Sequence, residues 1–212
     1  LELDPAKLPH DIQAKLLLGL VVPRPIAVVS TISVEGYFNI APFSYYNVAS
    51  DSPMALLFSI TGPKPDGTTK DTLRNVRPAP EGGIGEFVVN VATENYASAI
   101  ARAGTSLPYG VSEFEYARLG LAKSRIVRPP RIIEARASFE CQTLNILEIG
   151  EAHLVIGIVR YLWIQDGLAD DRMRIDPHKL EPIGRLAGTQ YCRVIDLFEM
   201  TADLAPVLSK RT

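Results

Sequence analysis

Pro23–Thr72 reads PRPIAVVSTISVEGYFNIAPFSYYNVASDSPMALLFSITGPKPDGTTKDT, and this stretch decides the fold. Three apolar, β-branched or aromatic runs (Ile26–Ser33, Phe38–Ala49 and Met54–Ile60) are parted by Glu35-Gly36 and Asp51-Ser52-Pro53. Turn residues between short apolar runs predict a meander of strands. A loop rich in Gly, Pro and Thr follows over Thr61–Thr69, and a helix is expected to start at Lys70-Asp71-Thr72. Asn39, Ser44 and Asn47 interrupt runs that are otherwise apolar. Polar groups beside a core need partners. A bound ligand supplies them in one reading, and turn chemistry at strand ends in the other.

The expected helix start is crowded with hydroxyls and one cation: Thr68, Thr69, Lys70 and Thr72. A helix N-terminus leaves backbone N–H groups unpaired and carries partial positive charge, so it suits an anion such as a phosphate. Self-capping by Thr69 or Asp71 is the competing use of the same residues. The pattern is neither GxxxxGK[ST] nor GxGxxG, so it supports neither a nucleotide P-loop nor a dinucleotide-binding fold.

Upstream, Leu8, Ile12, Leu16 and Leu20 recur at helical spacing and predict an amphipathic helix over about Pro9–Leu18, a lid or brace on the sheet. Arg24 stands between two prolines on stiff backbone, suited to an anion contact or simply to solvent. Downstream come a loop over Arg77–Gly85, a strand over Glu86–Val91, and an Ala-rich helix over about Glu94–Ala103 with Ala97, Ile100 and Ala101 as its buried stripe. Thr105–Arg118 is read as a loop with one helical turn near Glu113–Ala117, a candidate mobile flap.

Beyond Pro129-Pro130, the residues Ala135, Ala137, Phe139, Cys141 and Thr143 share one face, and Arg136, Ser138, Glu140 and Gln142 the other. That alternation predicts a half-buried strand and makes Cys141 a structural thiol rather than a nucleophile. Leu154–Ile164 is apolar on both faces, a central strand in which Gly157 permits close packing. A glycine-bounded turn over Ile183–Val194 leads into a last strand, and the tail over 201–212 is expected to fray or to lie on a partner chain.

The chain has 212 residues with 22 basic against 24 acidic side chains, so charge makes no case for nucleic acid or an anionic membrane. No apolar run approaches the roughly 20 residues of a membrane span, and the first residues carry no signal-peptide pattern. With two distant cysteines, the reading is a reduced, cytoplasmic protein. Three histidines make a metal site improbable. Six or more strands without a βαβ rhythm predict a mainly β protein, a closed antiparallel barrel with appended helices, in one domain over 1–212.

These residues resemble the flavin reductase-like family, the FMN-binding split-barrel oxidoreductases. The matching pieces are PRPIAVVST (23–31), NIAPFSYYNV (39–48), KDTLRN (70–75), EFVVNV (86–91), HLVIG (153–157) and PIGRLAGTQY (182–191), in the family's order. The resemblance implies a six-stranded Greek-key split barrel over about 23–195 and a homodimer with FMN held non-covalently near the interface. It places Asn39, Ser44, Asn47 and Val48 on the ring and ribityl side, and Ser59, Thr61, Lys70, Asp71 and Thr72 on the phosphate side. The flavin then carries the chemistry, and no side-chain nucleophile is needed.

One departure stands out. Short flavin reductases often show Gly-Asp-His where this chain has Gly150-Glu151-Ala152-His153, one position late and so on the other face of a strand. That weighs against a catalytic role for His153 and leaves NAD(P)H open as the donor. Two functions follow from the resemblance: an FMN-dependent reductase passing electrons from NAD(P)H to flavin or another acceptor, or an FMN-binding carrier exchanging electrons with a redox partner protein. Phe38, Phe43, Tyr45 and Tyr46 near the proposed ring site favour an interface there, hence an obligate homodimer.

Overall fold

A computed structural model describes residues 1–200 of the chain, and the expectation for the tail over 201–212 lies outside the described residues. Helix α1 (His10–Leu20) comes first. Four strands follow: β1 (Ala27–Ile32), β2 (Phe38–Phe43), β3 (Tyr46–Asp51) and β4 (Met54–Thr61). Helix α2 (Asp71–Val76), strand β5 (Glu86–Val91), and helices α3 (Ala97–Ala103) and α4 (Glu113–Ala117) come next. Beyond them lie a short pair, β6 (Leu121–Ala122) and β7 (Arg131–Ile132), and two long strands, β8 (Ala137–Ile149) and β9 (Ala152–Ile164). A single turn, α5 (Pro177–Leu180), and a second short pair, β10 (Ile183–Arg185) and β11 (Tyr191–Arg193), complete the order.

The main sheet has the antiparallel order β2-β1-β5-β8-β9-β4-β3. It has seven strands where six were expected, because the run Phe38–Ala49 is two strands rather than one. β2 pairs with β1 and β3 with β4, so these consecutive halves lie at opposite ends of the strand order with only Ser44 and Tyr45 between them. That is not the simple meander expected. Two residues reach only about 7 Å, so the sheet must curl until its ends meet, and the result is a rolled β-sheet with helices outside.

Each of the two hydrophobic clusters uses one side of β1. Ala27 and Val29 join Phe43, Phe58, Phe87, Val89, Cys141 and Val155 inside the roll. Ile26 and Val28 point out and pack under Ile40, Ile100, Phe114, Ala117 and Ile132, beneath α3 and α4. This is the period-two alternation of a strand covered on both faces. Inside, Gly157 lets Phe87 cross β9: an added Cβ would sit 2.3 Å from Phe87 Cζ.

Several local expectations need correction. β8 is not half-buried at its start, because Ser138 and Glu140 are as buried as Cys141. The segment between β6 and β7 covers that polar face, and Glu140 binds three of its backbone N–H groups. The buried stripe of α3 is Ala99, Ile100 and Ala103, whereas Ala101 is exposed. α1 runs two residues beyond its expected end at Leu18; Ile12, Leu16 and Leu18 are half-buried and none of its residues is fully buried, so one chain covers the helix only in part. Arg24 meets neither an anion nor solvent. It is buried and donates from Nη1 to the carbonyls of Leu18 (2.8 Å) and Val21 (2.7 Å), and from Nη2 to that of Leu186 (3.0 Å). A cation at the C-terminal end of α1 satisfies carbonyls that the helix leaves unpaired.

Candidate functional site

The second half of β2, the start of α2 and the segment after α3 converge on a cavity of about 130 Å³. β2 contributes Asn39, Ala41 and Pro42; the α2 start contributes Lys70, Asp71 and Thr72; and the segment after α3 contributes Thr105, Ser106 and Leu107. Lys64 and Glu113 complete the charged lining. A second cavity of about 370 Å³ shares Pro42 and Gly104 with the first and continues past Ser44 to Arg185 and Tyr191. A third, about 290 Å³, lies between the C-terminal end of α1 and Ser44-Tyr45-Tyr46-Asn47.

Local chemistry explains the first cavity. The Asn39 amide donates to Thr31 Oγ1 (3.1 Å) and Thr72 Oγ1 (2.9 Å), so the polar interruption in β2 fastens α2 to the sheet. Lys64 and Asp71 form a buried ion pair at 2.7 Å, each side chain 8% exposed. Lys64 also donates to the Leu107 carbonyl at 2.9 Å. That satisfies Asp71 Oδ2, but Asp71 Oδ1 is buried without a hydrogen-bond partner; Arg74 Nη1 lies 3.6 Å from it. A buried carboxylate oxygen left without a partner is costly.

Lys70 is the N-cap residue of α2, and no side chain caps that helix, so neither Thr69 nor Asp71 self-caps it. Lys70 Nζ donates to the Thr61 carbonyl at 2.6 Å and makes no ion pair with a described carboxylate. Burial holds its ammonium below the ordinary lysine value, since nothing of opposite charge offsets the lost water. Glu113 is 5% exposed and receives only a long bond from the Ile40 N–H (3.4 Å). Burial pushes its carboxyl up to about 7, against the smaller lowering by backbone hydrogen bonds.

Asn39, Lys70, Asp71 and Thr72 thus share one cavity, and Thr61 touches Lys70. Ser44 lies in the second and third cavities, accepting a long bond from Arg24 Nε (3.4 Å), and Asn47 lies only in the third. Ser59 and Val48 line none of the three; Val48 is 65% exposed on β3. His153 also lies outside them, its Nε2 3.6 Å from Glu148 Oε1 across the β8–β9 pair. Lys64, Thr105, Ser106 and Glu113 escaped the sequence reading. The only signal for the last three was the length of the loop in which Glu113 starts a helical turn.

No cluster of three or more His, Cys, Asp or Glu suited to a metal is found among the described residues. No helix among them is long and apolar enough to cross a membrane.

Against known proteins, the sequence pattern described as "Flavin reductase like domain" matches residues 18–181. An uncharacterized protein of Aquifex aeolicus is 40% identical over 183 residues, covering 86% of this chain and 90% of that one. Nitrilotriacetate monooxygenase component B from Bacillus cereus superposes with a TM-score of 0.87 at 32% identity, covering 94% and 98% of the two chains. The 2-nitrobenzoate 2-nitroreductase NbaA of Pseudomonas fluorescens gives 0.85 at 28% identity, with 97% and 98% covered.

Proposed function

Because the chain belongs to the flavin reductase-like family, we propose that it binds FMN in the groove formed by the first two cavities and passes electrons from NAD(P)H to a flavin or another small acceptor. The carrying observation is Lys70, a partly desolvated cation with only a carbonyl to bind, at the uncapped start of α2. A phosphate there supplies the missing charge, with Thr105 and Ser106 in the same lining as further hydroxyl donors. Asp71 fits a different role from the phosphate contact expected of it. As a carboxylate it has no donor to offer a phosphate and accepts a hydrogen bond from a hydroxyl such as those of the ribityl chain.

The first cavity alone is below the roughly 300–1,000 Å³ of a ligand pocket, but the second opens from it past Ser44 and is lined by Ile26, Ile100 and Tyr191, a setting for a flat ring. When bound, the flavin supplies the redox chemistry. The chain's own part is to hold the phosphate, orient the ring and exclude water. The names of the two solved relatives, a monooxygenase component and a nitroreductase, support an oxidoreductase.

Counting the bent β2–β3 run once leaves six long strands, which favours a Greek-key split barrel acting as one domain. A homodimer completes the proposal. Two of the four aromatic residues expected at its interface are committed elsewhere: Phe43 packs on Phe58 (5.1 Å between centroids) and Phe38 on Phe114 (6.5 Å), while Tyr45 and Tyr46 line the third cavity. Exposed apolar side chains lie instead on α1 (Leu17 and Leu20), β3 and β4 (Val48 and Met54) and β8 (Leu144, Leu147 and Ile149). α1 with no buried residue is the element a second copy would cover.

A second reading, an FMN-binding electron carrier for a redox partner protein, is favoured by one observation: His153 is turned to Glu148 on the β8–β9 hairpin, away from the groove. Anaerobic titration separates the two. The absorbance of bound flavin is followed while NADH or NADPH is added, then an acceptor flavin. Bleaching and turnover support the reductase. A yellow protein inert to both nicotinamides but reduced by dithionite supports the carrier, and a protein that binds no FMN overturns both.

A further inference from the structure

On another part of the molecule, the segment between β6 and β7 folds beside β8 and β9 to form an open concavity of about 460 Å³. Its lining is three cations (Lys123, Arg125 and Arg131), two aromatic rings (Tyr161 and Trp163) and Glu140. None of this belongs to the groove beside β2. We propose that this cavity is a second binding site, for a small planar aromatic anion.

Strand register brings the rings together. Tyr161 and Trp163 are two apart on β9 and so share a face, and they lie directly across from Glu140 and Ser138 of β8. Glu140 is 1% exposed and sets one negative charge against the three cations. Its Oε1 accepts from the Arg125 N–H (2.7 Å), and its Oε2 accepts from the N–H groups of Ile126 (2.7 Å) and Val127 (3.2 Å). Three backbone donors disperse its charge and fix the segment that carries Lys123 and Arg125.

The cations themselves are unspent. Arg128, on the same segment, pairs with Glu86, whereas Lys123, Arg125 and Arg131 pair with no described carboxylate. In a chain of net charge −2, three cations against one carboxylate leave this concavity net positive, a local exception. The Arg131 guanidinium stacks over the Trp163 ring, 4.1 Å from its centroid. Stacking fixes the plane of the fork and leaves its other face for a flat group and its N–H edge for an acidic one. A flat ring thus has surfaces to lie on, at Arg131 and the exposed Tyr161, and its charge has Lys123 and Arg125 to meet. An aryl carboxylate and a nucleoside monophosphate both meet that description.

Trp163 is the only tryptophan, so its fluorescence reports this cavity directly. Titration with 1-naphthoate and with AMP, each against its uncharged counterpart (1-naphthamide and adenosine), should give saturable quenching by an anion, with Kd at or below about 1 mM. The neutral molecules should bind at least about tenfold more weakly, and raising the salt should weaken the anions alone. Tighter binding of 1-naphthoate identifies an aryl acid as the ligand, and tighter binding of AMP a nucleotide.

Arg131→Gln, and separately the exposed pair Lys123→Gln with Arg125→Gln, should each weaken the anion about tenfold or more. The pair lies on the surface and keeps the test valid even if Arg131→Gln disturbs the fold. No quenching by either anion overturns the proposal. So does equal quenching by the neutral molecules, or quenching that both loop variants leave intact and Lys70→Ala abolishes.

Discussion

Lys70 and Glu113 set the charge of the β2 groove from opposite directions. With Lys64 and Asp71 cancelling, Lys70 leaves the cavity positive while Glu113 is protonated and near neutral once it ionises. Replacing Lys70 with alanine should weaken FMN about tenfold or more, the loss of one charge-assisted contact, and leave riboflavin nearly unchanged. Isothermal titration of both ligands checks this, and equal loss for the two would make Lys70 a support of the fold. Glu113 titrates near 7 when folded against an ordinary 4.5. Its contribution to stability is therefore complete below 4.5 and is lost as pH rises through about 7. Denaturant titrations at about pH 5 and pH 8.5 should show wild type losing about 1–3 kcal/mol more than Glu113→Gln, and FMN affinity falling over the same interval only where Glu113 is present. The sequence flagged Asn39 and Lys70 because a polar residue in an apolar run, or a lysine at a helix start, is visible locally. Glu113 and Lys64 were not legible, since nothing within a few residues of either says that it will be buried beside Asp71.

Among the elements, strands were the most readable and their neighbours the least. Apolar runs between turn residues located β1, β4, β5 and β9, but both halves of Phe38–Ala49 read as strand, and no local signal separates one strand from two that part company at Ser44-Tyr45. β8 misled for a different reason. Its polar face is covered by a distant segment whose backbone N–H groups Glu140 satisfies, so polarity there marks a buried bond rather than solvent. Gly157 is where sequence and structure agree in detail, and it carries the prediction for this scale. With Phe87 Cζ 2.3 Å from an added Cβ and the Cys141 Cβ at 3.4 Å, Gly157→Ala must push Phe87 off Phe58, now 5.3 Å away between centroids. Overpacking of this kind costs about 1–3 kcal/mol. Thermal unfolding should fall accordingly, and Gly157→Ala combined with Phe87→Leu should recover part of the loss.

For the molecule as a whole, the proposed homodimer should sediment at about twice the chain mass at micromolar concentration, with or without FMN. Substituting Leu17 and Leu20 with glutamate should shift it toward monomer, because α1 leaves those side chains exposed. A wild-type monomer that binds FMN stoichiometrically would sink the shared-site arrangement and leave Lys70's role standing. The rolled sheet also has a consequence for how the chain comes off the ribosome. β1 and β4 are held on one side by partners close in sequence, β2 and β3, but on the other by β5 and β9. β9 is translated long after β4, and Arg24 waits for the still later Leu186. Until then β4 presents an unpaired apolar edge, and long-range pairing of this kind folds slowly. A nascent chain stalled before Ala152 should therefore be captured by chaperones that bind extended hydrophobic segments, and one released after Arg193 should escape them.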